Sequence, residues 1–270
     1  MSVITSPQPQ YRVTGLRVLR SEWAKLWSLR STWITLGVGL LFLVAFGIIG
    51  ALRYKSGYAS AQPDPDFAGA TVLDLSLFGT TFAQLAIGVL GVLVTAGEYA
   101  TGMIRSTLAA VPKRLPVLWS KSAAFGVVAF VVTLPAVFVT FLIGSSILSG
   151  TPAALTLSDT GVVRSLLGAA VYLGLVGVMG AALGALLRSI AGGISVLVAA
   201  LMLVPGLISL LPAAWHNNIE PYLPGTAGSS MFALEQAPHT LSPTNGFLVF
   251  AAWTVAFLAA AAWRLKRADV

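Results

Sequence analysis

Residues Trp33–Leu52 read WITLGVGLLFLVAFGIIGAL, with no ionisable side chain. Crossing a hydrocarbon core about 30 Å thick takes roughly 20 residues of helix. Five further runs of the same kind follow at Leu75–Gly97, Ser122–Leu148, Ser165–Leu187, Ile190–Leu211 and Gly246–Trp263. Within those bounds there is no Asp, Glu, His, Lys or Arg, and Arg188 falls between the fourth run and the fifth. Lipid offers unpaired backbone groups no partner, so each run has to close its own hydrogen bonds as a helix. The expected fold class is all-α: a polytopic membrane protein with six transmembrane helices.

Composition agrees. Charged residues make up 9% of the chain and hydrophobic residues 57%, where a soluble domain carries about 25% charged. There is no cysteine, which removes disulfides and thiolate metal sites. Ala59-Ser60-Ala61 has the look of a cleavage site, but the run before it is too long, and starts too far in, for a signal peptide. It is read as an uncleaved first helix.

The charges between the runs alternate in sign. Residues 1–32, the 98–121 loop, Arg188 and the 264–270 tail together hold 13 of the 16 Lys and Arg. Segments 53–74, 149–164 and 212–245 hold only Arg53, Lys55 and Arg164. With the acids included, the two sets carry +10 and −3 of the chain's +7. The positive-inside rule puts the first set, and both termini with it, in the cytoplasm. Basic residues that hug membrane ends set topology and meet anionic lipid heads, so the basic balance does not point to nucleic acid.

Three stretches outside the runs carry detail. Residues 1–10 are polar and read as disordered. Over 13–30, Leu16, Leu19, Trp23, Leu26 and Trp27 fall on one helical face and Arg17, Ser21, Lys25 and Ser28 on the other. That is a basic amphipathic helix suited to the cytoplasmic interface; a plain extension of the first span is the alternative. The 98–121 loop contains a short helix-capable segment, with Ile104 and Leu108 on one face and Met103 and Thr107 on another. Pro112 limits its continuation. Such a helix suits docking on a cytoplasmic partner, and an ordinary topology-setting loop is the alternative. The 212–245 segment, with five prolines, can dip back to the interface or cap the external mouth. Within the spans, Gly174, Gly177, Gly180 and Gly184 step along the fourth run, and Gly180 with Gly184 forms a GxxxG pair for close helix contact, inside the chain or between two copies. Pro135 and Pro205 are candidate kinks.

Several chemistries lack their residues. His216 and His239 are read as surface histidines rather than metal ligands. No base lies at membrane depth to activate a serine, and no ionisable group lies there to couple an ion gradient. None of Lys25, Lys55, Lys113, Lys121 or Lys266 follows a glycine, so there is no P-loop. Read from the residues alone, a channel and a scaffold fit this pattern equally well.

A resemblance adds to this. Gly97-Glu98-Tyr99-x-x-Gly102-x-x-Arg105-x-Thr107-Leu108-x-x-x-Pro112-x-Arg114 resembles the first cytoplasmic loop of ABC-2-type transporter permeases. Arg20-Ser21-Glu22-Trp23-x-Lys25-Leu26-x-Ser28-x-Arg30-Ser31-Thr32-Trp33 is similar to the opening of the actinobacterial branch of that family, and Tyr222-Leu223-Pro224-x-x-Ala227-Gly228 to its last external loop. The resemblance implies a membrane subunit of an exporter in the bacterial plasma membrane, paired with a second permease subunit. It also implies a separate P-loop ATPase subunit that binds the ATP, so that this chain binds no cofactor and is not itself an enzyme. The implied coupling helix covers about 101–110. Glu98, Gly102, Thr107, Leu108, Pro112 and Arg114 match the loop pattern, with Ile104 beside them. Lys113 and Arg114 would meet acids on the ATPase or anionic lipid. A scaffold or sensor that binds a cytoplasmic partner without transport is the other reading.

Overall fold

The computed structural model of the protein describes residues 14–28, 30–60, 69–111 and 114–267. Among them there are helices and no strand. Six helices are long and apolar enough to cross a membrane: Arg30–Ala59 (α2), Val72–Ala100, Leu115–Ile147 (α6), Val162–Leu187 (α7), Ile190–Ile208 and Pro243–Arg267 (α12). The second is two pieces, α3 (Val72–Leu77) and α4 (Thr80–Ala100). The fifth is α8 (Ile190–Val198), a π-helical turn at Ala199–Leu203, and α9 (Val204–Ile208). Shorter helices lie outside the spans: α1 (Gly15–Ser28), α5 (Met103–Ala110), α10 (Ala213–Ile219) and α11 (Pro224–Ser230).

The bounds differ from the sequence reading in one consequential way. α6 begins at Leu115, seven residues before the apolar run. Lys121, expected in a loop, is therefore a buried helical residue at 4% exposure. The run was bounded by its charge, and the helix is not.

α7 forms the centre, buried over 72% of its apolar window, whereas the fifth span is buried over 17% and faces outward. The centre is built from small residues. A Cβ on Gly180 would strike the Gly88 carbonyl of α4, and one on Gly184 would strike Thr95 Oγ1 and the Val92 carbonyl. Gly177 and Gly174 let Phe125 and Phe130 of α6 approach, less closely: an added Cβ would meet them at 2.8 and 3.2 Å. The glycine row is thus used within the chain, where it lets the backbones of α4 and α7 touch. Thr95 Oγ1 then donates to the Ala181 carbonyl across that contact at 2.8 Å.

The expected irregularity at Pro205 is a π turn in the fifth span, whose Val204 N–H reaches back to the Ala199 carbonyl. Pro205 has no N–H to return to the preceding turn. α11 comes in at this point: a Cβ on Gly225 would strike the Leu201 carbonyl. Part of the segment after α9 packs against the spans. Ala227 is fully buried, Gly228 lies against the Tyr172 ring of α7, and Trp253 Nε1 on α12 donates to the Tyr222 carbonyl at 2.9 Å. α6 runs unbroken through Pro135.

Replacing Gly184 with Val forces α4 and α7 apart, and overpacking of this kind costs roughly 1–3 kcal/mol. The expected result is a thermal midpoint in detergent clearly below wild type. Gly37, whose added Cβ would meet nothing within 4 Å, should accept Ala without loss.

Candidate functional site

One end of the bundle gathers α1, α5, the start of α6 and the last turn of α12, and with them most of the cationic residues. α4 ends at Ala100, and Gly102 turns the chain at φ +73°. That left-handed conformation is strained for any residue with a side chain. α5 follows directly. Its inner side carries Ile104, buried at 7% exposure, and half-buried Leu108. Both face a small cavity of about 20 Å³ lined also by Thr95, Tyr99, Leu118 and Leu265. The outer side presents Met103, Arg105, Ser106, Ala109 and Ala110 to the exterior. Thr107 lies between them, its Oγ1 donating to the Met103 carbonyl at 3.2 Å.

The face that the spacing gives to Ile104 and Leu108 is thus taken up by the chain's own bundle, which leaves the Met103 side outward. Periodicity put them on one face, and nothing in the sequence said which way that face turned. Pro112 lies outside the described residues. Arg114 is half-buried and donates to the Leu265 carbonyl of α12 at 3.4 Å.

Beneath α5 lies a set of charges. Lys121 Nζ of α6 sits 2.5 Å from Glu22 Oε2 of α1 and 2.7 Å from Glu98 Oε1 of α4. Lys25 Nζ of α1 sits 2.8 Å from Glu22 Oε1 and 3.0 Å from the same Glu98 oxygen. Glu22, Glu98 and Lys121 are buried and Lys25 is half-buried. The two cations and two carboxylates cancel, which is the condition for holding charge away from water. Glu98 Oε2 is buried with no hydrogen-bond partner among the described residues. For Lys25, burial pulls the ammonium down, but hydrogen bonds and charge from Glu22 and Glu98 outweigh it, and the group is held above its ordinary 10.5. Its stabilising effect is therefore complete below that pH and is lost above it.

The quartet also settles how α1 lies. The expected apolar face was Leu16, Leu19, Trp23, Leu26 and Trp27. The buried face is instead Val18, Glu22 and Leu26, one turn apart each, and it packs on α6. Leu16, Leu19, Trp23 and Trp27 are exposed, as lipid contacts would be. Trp27 meets Trp33 of α2 at 4.6 Å between ring centroids. The missed residues were Glu22 and Lys121. Glu22 did leave a signal: it is an acid in a strongly cationic set of segments, and such an acid needs a partner.

The α7–α8 turn is pinned at the same end. Arg188 closes α7 with φ +56° and lies 5.1 Å from the Tyr99 ring centroid, while Arg264 of α12 donates to the Leu186 carbonyl. At the opposite end, a cleft of about 310 Å³ opens between α3–α4 and the segment from α11 onward, with Asp74, Phe78, Thr81, Ser229, Phe232 and Glu235 on its walls. His216 of α10 faces Glu220 just past the end of that helix, a pairing the sequence reading did not make. Among the described residues no three His, Cys, Asp or Glu gather as metal ligands.

Removing one carboxylate of the quartet leaves both lysines on the other, Glu22 in the case of Glu98, with one positive charge uncompensated, and an uncompensated buried charge costs about 3–5 kcal/mol. Glu98→Ala should therefore lower the thermal midpoint sharply, and Glu98→Leu combined with Lys121→Met should recover most of the loss. A single variant as stable as wild type would show that the quartet does not hold this end together. No protein-family model and no curated protein matches the chain.

Proposed function

We propose that the protein is the membrane-spanning subunit of an ATP-driven exporter of the ABC-2 kind. In this reading it works in the bacterial plasma membrane as one of two permease subunits, with both termini cytoplasmic. The loop carrying α5 couples it to a separate ATPase subunit that supplies the ATP site. The observation that carries the reading is the placement of α5. It is a short helix between two spans whose inner side is seated in the bundle and whose outer side, with Met103, Arg105 and Ser106, is left for contact. The loop that holds it is the one that resembles the family's coupling loop.

The geometry suits transmission. A push on the outer side of α5 passes through Ile104 and Leu108 to the bundle. It also passes along α4 to Glu98, and so to α6 and α1 through the quartet. Three helices then move as one piece, as alternation between inward- and outward-open states requires. The cleft at the opposite end, whose walls carry hydroxyl and aromatic groups and the carboxylates of Asp74 and Glu235, is where an amphiphilic substrate would leave.

Two experiments test this. The chain has no cysteine, so the single substitutions Ser106→Cys and Gln236→Cys report their sides directly. An impermeant thiol reagent added to intact cells should label the Gln236→Cys protein and spare the Ser106→Cys protein, and the reverse pattern would remove the site of attachment. For coupling, the chain should co-purify with a P-loop ATPase, and the pair should turn over ATP faster with substrate. Met103→Glu with Arg105→Glu reverses the outer side of α5 without touching the bundle. Transport in reconstituted vesicles should drop about tenfold or more while the permease stays folded, the size of effect expected when a buried interface contact is lost. Undiminished transport would rule out α5 as the coupling element.

A further inference from the structure

A groove of about 340 Å³ runs between α1 and α6. That is within the size range of small-ligand sites, about 300–1,000 Å³. Leu16, Leu19 and Trp23 form one wall and Ala123, Ala124 and Val127 the other, and Arg20 stands at the rim as the only ionisable lining residue among the described residues. The four α1 residues recur at helical spacing and make a stripe. The opposite side of α1 is locked down by Val18, Glu22 and Leu26, so the groove is preformed. Glu22, the acid of this helix, is turned into the quartet and away from the groove. Arg20 is exposed and forms no ion pair among the described residues.

We propose that this groove is a binding site for an anionic glycerophospholipid, with one acyl chain between α1 and α6 and the headgroup phosphate on Arg20. The apolar walls match a chain and nothing polar. The planar guanidinium matches a phosphate through two parallel hydrogen bonds. Among the described residues no carboxylate lines the groove to receive the cationic end of a zwitterionic headgroup, so a net anionic lipid is preferred. The site needs only the bilayer and does not depend on export, so it can hold if the exporter reading fails.

Trp23 in the wall is the reporter. The full-length protein is placed in phosphatidylcholine vesicles containing a minor fraction of acyl-brominated phosphatidylglycerol or, separately, acyl-brominated phosphatidylcholine. The Trp23 signal is the difference between wild type and Trp23→Phe. Brominated phosphatidylglycerol should quench that signal about fivefold more effectively at equal mole fraction, as expected for one cation meeting an anionic lipid. Arg20→Gln should bring the two lipids to parity, and Ala123→Phe, which fills the groove, should protect Trp23 from both. On the unmutated protein, raised salt should erode the excess, because a rim charge is screened. Equal quenching by the two lipids, an excess that survives Arg20→Gln, or an excess indifferent to salt would each overturn the assignment.

Discussion

Hydrocarbon supplies no hydrogen bonds, so every backbone group at membrane depth has to be satisfied by the protein or sheltered by it. The six spans meet this by being helices. The more telling places are the interruptions. α3 and α4 are separate at Phe78–Gly79, but Ser76 and Leu77 beside the break are buried. The π turn before Pro205 is met by α11, which brings Gly225 against the Leu201 carbonyl. The α7–α8 turn at Arg188 is covered by Tyr99 and tied to α12 through Arg264. The small residues of the Tyr222–Gly228 stretch follow from the same requirement. Pro224 opens α11, and Ala227 and Gly228 leave room for α7 and α12 to close over it.

What could be read from the sequence was whatever has a period or a length. The apolar runs are long, so the six spans and the all-α class were legible. The glycine row on the fourth run was legible as close contact, because small residues at helical spacing serve little else. Its partner was not, since a row of glycines says that something comes near and not whether it is α4 or a second copy. α5 was legible as a helix bounded by Gly102. Its orientation was not, because Ile104 and Leu108 suit an inner or an outer apolar surface equally. Lys121 is not legible as a helical residue because a charge marks a span's end only where water receives it, and here the charge is neutralised inside the fold.

In the proposed exporter, these details combine at one end of the molecule. α5 can act on the spans only if it is stiffly joined to them. Gly102 places it one turn after α4, Ile104 seats it, and Glu98 at the last turn of α4 ties that helix to both neighbours. The glycine contact between α4 and α7 then carries the joint into the centre of the bundle. A push on the outer side of α5 thus meets a continuous chain of packed contacts.

Stability alone does not account for a buried ion quartet. Replacing buried pairs by well-packed apolar residues is often neutral or stabilising, and an all-apolar α1 would still adhere to a lipid-immersed bundle. It would not, however, adhere in one orientation. α1 offers apolar residues on two sides, Val18 and Leu26 on one and Leu16, Leu19, Trp23 and Trp27 on another, and hydrophobic burial does not choose between them because it has no direction. The Glu22 carboxylate does. Turned outward it would lose Lys121 and leave that ammonium buried without Glu22. The charges therefore set the rotation of α1, and that rotation turns the Trp23 stripe and Arg20 outward along the groove with α6.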